Sequence, residues 1–113
     1  MDDFHIVGRL KGVEEFVWVD RHGRILAHDT RAPERLSKLV VACSRSLVAL
    51  GRDNFKYACF SRACRNNVLI FPVGNYYLGV VKHKRIKNSE AASAVLEFLR
   101  ALTGKKGLRG DLS

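Results

Sequence analysis

Two apolar runs, Val68-Leu-Ile-Phe-Pro72 and Tyr76-Tyr-Leu-Gly-Val-Val-Lys82, are separated only by Val73, Gly74 and Asn75. Both runs are rich in β-branched and aromatic residues, and the short insert has tight-turn chemistry. A parallel crossover needs a dozen or more residues, so these strands must be antiparallel neighbours. The same logic applies upstream. Glu15-Phe-Val-Trp-Val-Asp20 and Arg24-Ile-Leu-Ala-His28 flank Arg21-His22-Gly23, with glycine where a turn needs a positive φ. A fifth strand is expected over Phe55 to Arg62, followed by a polar connection, Ala63 to Asn67. Pro72 has no N–H to give to a ladder and should lie at a strand end.

Helical periodicity fills the intervals. Phe4, Val7 and Leu10 recur at steps of three before Gly12 and predict a short first helix. Asp29 or Thr30 could cap a second helix, with Pro33 in its first turn; its stripe is Leu36, Leu39, Val40, Cys43, Leu47 and Leu50, and Gly51 stops it. Asn88 or Ser89 should cap a third, with Glu90 in its first turn, a stripe of Ala91, Val95, Phe98, Leu99 and Leu102, and Gly104 at its end. The order is α-β-β-α-β-β-β-α. It predicts an α/β (α+β) domain over residues 1–104, a five-stranded, mainly antiparallel sheet with helices on both faces. Residues 105–113 have two glycines and no period and are expected to form a flexible basic tail.

The middle helix carries the first functional signal. At about 100° per residue, Ser37, Val41, Ser44 and Val48 extend the apolar stripe to one side, while Glu34, Arg35, Lys38 and Arg45 fill the remainder. The uncharged arc spans roughly 220°, where packing on one sheet requires only about 100° or slightly more. The excess points to a second helix docking there, from a partner chain or from another element of this one.

Composition bounds the function classes. The 113 residues suffice for one domain. Apolar runs of about five residues fall far short of the roughly twenty that span a bilayer. The acidic start, Met1-Asp2-Asp3-Phe4, does not resemble a signal peptide, so the expected location is cytoplasmic. Cys43, Cys59 and Cys64 form neither a disulfide framework nor a zinc spacing. The net charge of +9 favours acidic partners.

No catalytic constellation is legible. His22 and His28 have no positioned partner, the acidic residues are scattered, and Gly104-Lys-Lys-Gly107 follows a helix rather than preceding one, unlike a phosphate loop. The expectation is a protein without catalytic residues, metal or cofactor. The densest charge lies in Lys82-His-Lys-Arg-Ile-Lys87, before the last helix. A helix start attracts anions, so Lys82, Lys84, Arg85 and Lys87 are candidates for holding a phosphate or an acidic loop. Nucleic acid is the less favoured partner, because exposed aromatics do not interleave with the cations.

Phe16-Val-Trp-Val-Asp20-Arg-His-Gly23-Arg-Ile-Leu-Ala27 resembles the opening hairpin of the roadblock/LC7 family, and Leu69-Ile-Phe-Pro72-Val-Gly74-Asn75-Tyr-Tyr-Leu78-Gly-Val-Val81 resembles its second hairpin. The likeness runs from about Gly12 to Leu102. It implies a profilin-like fold and a dimer, homomeric or with a second roadblock-like chain, in which the middle helix and the strand after it face their copies. Here those would contribute Ser37, Val41, Ser44, Val48, Phe55, Tyr57 and Cys59. Family members serve as dynein subunits, as lysosomal scaffolds and as bacterial regulators of Ras-like GTPases. The resemblance therefore implies a non-enzymatic module that regulates or scaffolds a small GTPase. A profilin-like ligand sensor, or a basic adaptor on nucleic acid or anionic membrane, is the alternative.

Overall fold

The structure, a computed structural model, describes residues 3–51, 56–62 and 65–103. Helix α1 (Asp3–Ile6) runs into a 3-10 turn (Val7–Arg9). Strands β1 (Val13–Asp20) and β2 (Ile25–Asp29) form the first hairpin. Helix α2 (Pro33–Ala49) leads to β3 (Ala58–Arg62), β4 (Arg65–Val73) and β5 (Tyr76–Lys82), and α3 (Asn88–Thr103) follows. The sheet has five strands in the order β2-β1-β5-β4-β3, and every pairing is antiparallel. The predicted fold class and element order are those observed. Phe55, Cys64 and the tail 105–113 lie outside the described residues.

Local differences have local causes. The first helix is one turn of α-helix rather than a continuous stripe to Leu10. Gly8 adds no helix propensity, and the backbone turns away at Gly12 with φ of +89°. A Cβ on Gly8 would meet the Phe16 ring at 3.1 Å, so glycine lets the segment lie close on the sheet. Thr30 does not cap α2. The N-cap is Ala32, without a side-chain bond, and the Thr30 hydroxyl donates instead to Glu15 Oε1 at 2.5 Å. Strand β4 begins at Arg65 rather than Val68, so Asn66 and Asn67 belong to the ladder's end.

The inner strands β1, β4 and β5 alternate their side chains into two cores. Phe16, Trp18, Leu69, Phe71, Leu78 and Val80 meet the 3-10 turn and α3. Val17, Val19, Val68, Ile70 and Val81 meet Leu36, Val40 and Val41 of α2. Both sets are nearly inaccessible, as expected of central strands covered on each face. Gly79 sets the docking of α2. A Cβ there would stand 2.3 Å from Val40 Cγ2, so only glycine admits the helix at this distance. On the other face Trp18 Nε1 donates to the Phe4 carbonyl at 3.0 Å and the two rings stand 4.9 Å apart, which fastens α1 down.

Candidate interaction surface

The residues that face the sheet from α2 are not those centred in the apolar stripe. Ser37, Val41 and Ser44 are buried, at 3%, 8% and 1% exposure, and Ser37 Oγ donates to the Gly23 carbonyl of the first hairpin at 2.9 Å. Their side of the arc is closed by this chain itself, which corrects their expected place on an open helix face. Among the described residues Ser44 Oγ has no hydrogen-bond partner. Leu39, Cys43 and Leu47 are instead only half-buried, Val48 is exposed, and Leu50 is 76% exposed. Spacing fixes the angles between residues on a helix, but not which angle meets the sheet. Gly79, by admitting Val40, decides that.

The open flank of α2 lies toward β3, the sheet's edge. Leu39 shares a groove with Val81, Arg62 and Asn66, and Leu39, Cys43 and Phe60 all pack at the margin of the α2 core. Pairing of Ala58 with Ile70 and of Phe60 with Val68 puts Ala58 and Phe60 on the α2 face. Tyr57 and Cys59, both in the expected interface set, therefore point to the face opposite α2. Tyr57 stacks on Phe71 with ring centroids 5.7 Å apart, whereas Cys59 is exposed. Burial pushes the thiols of Cys43 and Cys59 up, with Lys82 partly offsetting it at Cys59. Neither is thereby activated as a nucleophile.

The basic run divides in two. Lys82 is buried, with Nζ donating to the carbonyls of His83 at 3.2 Å and Ile86 at 2.5 Å. It braces the loop and is not presented to a partner, a correction to its expected role. Lys84, Arg85 and Lys87 are exposed. The turn that carries them is pinned. His83 N donates to the Gly12 carbonyl at 2.8 Å, Arg85 N to His83 Nδ1 at 3.2 Å, and Ile86 N to the His83 carbonyl at 3.1 Å. Ile86 packs against the core beneath α3, and Lys87 N donates to Glu90 Oε1 at 3.3 Å.

Two grooves flank α2, both open to solvent. The larger, about 550 Å³, holds Glu14, Glu15, Arg35 and Leu39, with Glu14 accepting from Asn66 Nδ2 at 2.6 Å. The smaller, about 350 Å³, lies between α2 and the tip of the first hairpin. Among the described residues no three His, Cys, Asp or Glu side chains come together to hold a metal ion, and no helix is long and apolar enough to cross a membrane.

No protein-family model and no curated protein sequence matches the chain. Solved structures do. An MglB in a tetrameric arrangement aligns over 90% of this chain and 83% of its own, with a TM-score of 0.71 and 18% identity. A roadblock/LC7 domain from Streptomyces avermitilis aligns over 88% and 95%, with a TM-score of 0.62 and 17% identity. Acanthamoeba castellanii profilin IB aligns over 82% and 86%, with a TM-score of 0.56 and 14% identity. The sheet order, the helices on its two faces and these alignments together show that the chain has the profilin-like roadblock/LC7 fold.

Proposed function

We propose that this chain is a non-enzymatic, dimeric module of one domain, residues 1–104, that regulates or scaffolds a small Ras-like GTPase in the cytoplasm. The observation that carries the dimer is the apolar flank Leu39–Cys43–Leu47, continued by Leu50 and set beside the edge strand β3. An edge strand offers unpaired N–H and C=O groups, and a half-buried apolar stripe beside it supplies the area that makes such pairing stable. A second copy meets both needs by placing its own helix and edge strand against these. The proposed interface is therefore Leu39, Cys43, Leu47 and Phe60 with the edge of β3, and Phe55 beyond the described residues joins it.

The GTPase rests on structural likeness to MglB and on the roadblock resemblance; the exposed Lys84, Arg85 and Lys87 would steer an acidic partner to the dimer. Sedimentation tests the first half. The protein should run at twice its monomer mass at micromolar concentration, and Leu47→Glu should give a folded monomer, because a charge cannot be left unpaired in a dry contact. A Leu47→Glu protein that stays dimeric places the interface elsewhere. Copurification with Ras-like GTPases of the same genome, with GTP turnover measured in the mixture, tests the second. The chain alone should not hydrolyse GTP. A dimer that neither binds nor alters any of them leaves the scaffold without its GTPase.

A further inference from the structure

The groove on the other flank of α2 has a composition unlike the dimer flank. Its walls are Ile25 and His22 of the first hairpin and Lys38, Val41, Ala42 and Arg45 of the helix. The floor is apolar and closely fitted: Ser37 holds the hairpin tip to α2, and at Gly23 the missing side chain leaves ordinary van der Waals room above Ser37 and Val41. The rim is cationic. Lys38 and Arg45 are seven residues apart, two helical turns or about 10.5 Å along one face. Neither has a carboxylate partner among the described residues, and Arg21, at the hairpin tip, is exposed. One acid, Glu34, lines the same groove, and Asp20 is already engaged by the backbone N–H groups of His22 and Arg24 at 2.9 Å.

A volume of about 350 Å³ is at the small end of ligand sites and suits one or two side chains. Open cations spaced along a helix, above an apolar floor, complement a chain segment in which acidic residues bracket an aliphatic one. The net charge of +9 draws such a segment in from a distance. The groove on the opposite flank offers no such excess of positive charge, because Glu14 and Glu15 line it beside Arg35 and Arg62. We propose that the hairpin–α2 groove is a docking site for an acidic linear segment of a partner protein, with one aliphatic side chain on Ile25 and Val41 and carboxylates on Lys38 and Arg45. It is a site distinct from the Lys84–Lys87 turn, and because it lies on the flank of α2 away from β3 it stands whether or not the chain dimerises.

The test is fluorescence polarisation of the full chain with a labelled peptide of about ten residues, glutamates around a central leucine, in about 150 mM salt, where long-range attraction is screened. A matched peptide with serine at the centre reports the aliphatic contact. Binding should be saturable, several-fold weaker for the serine peptide, and weakened roughly ten-fold or more by Lys38→Glu with Arg45→Glu. The milder pair Lys38→Gln and Arg45→Gln should fall between. Arg9→Glu with Lys11→Glu removes the same charge at exposed residues outside both basic sites and should change affinity far less. Sedimentation of each sample separates this result from the dimer reading. Absence of saturable binding, equal affinity for the two peptides, or equal loss in the Arg9/Lys11 pair would overturn the proposal, since binding would then follow net charge alone.

Discussion

The sheet's two faces differ in what they bury. Beneath α3 lie Phe16, Trp18, Leu69, Phe71 and Leu78, large side chains sealed from the N-terminal side by Val7 and Phe4. Beneath α2 the core is mainly valine, with Ile70 and Leu36, and two serines are buried there, one of them with no hydrogen-bond partner among the described residues. Aromatic residues bury the most area per side chain, so the α3 face contributes more of the stability. The α2 face is thinner, closer and flanked by two open grooves. The difference suggests a division of labour in which one face holds the fold together and the other is left available for contact.

Several changes would break or sharpen this contrast. Trp18→Ala should have the largest effect, about 3–5 kcal/mol, because it empties the centre of the α3 core and also removes the bond that fastens α1. Its signature is a lower midpoint in urea at unchanged slope. A loss below about 1 kcal/mol would mean that the aromatic face does not dominate. Gly79→Ala comes next, at about 1–3 kcal/mol, since the added methyl must push Val40 and α2 away. Val40→Ala in the same chain should restore part of that loss, and a double variant no better than the sum of the singles would place the clash elsewhere.

The smallest effect is expected at the hairpin tip. Asp20 accepts the N–H of Arg24 and of His22, and the Arg24 hydrogen bond foremost holds its carboxyl below the ordinary value of 3.8; desolvation opposes it, and the His22 bond and the neighbouring cations add to the lowering. A carboxyl depressed in the fold favours the folded state above the unfolded pKa and loses that contribution as pH falls through the folded one. Asp20→Asn should therefore be slightly less stable than the parent at neutral pH, with the gap closing below pH 3.8. Unfolding midpoints compared across that range check the sign, and a gap that widens in acid would contradict it.

Turns made the topology legible. Val73-Gly74-Asn75 and Arg21-His22-Gly23 carry their conformations in their own residues, and Gly23 and Gly74 do adopt positive φ. The contact surface was legible only in outline. The excess apolar arc of α2 is real, but its open side is Leu39, Cys43 and Leu47 rather than Ser37, Val41 and Ser44, because the docking angle is set by Gly79 on a distant strand. Likewise Tyr57 and Cys59 could be assigned a face only from the pairing of Ala58 with Ile70. Lys82 reads in sequence as one more surface cation. That its ammonium turns back onto two carbonyls depends on a loop closing around it, which no charge pattern encodes.

That loop has a consequence for any partner it meets. With Lys82 as an internal clasp and Gly12 as an anchor, the backbone beneath Lys84, Arg85 and Lys87 is a fixed template rather than a brush of tethered charge. A brush adapts to any polyanion of sufficient charge density. A template selects by geometry, because its cations cannot be regrouped without breaking the bonds that hold the turn. Two partners of equal net charge would then be told apart by where their negative groups lie.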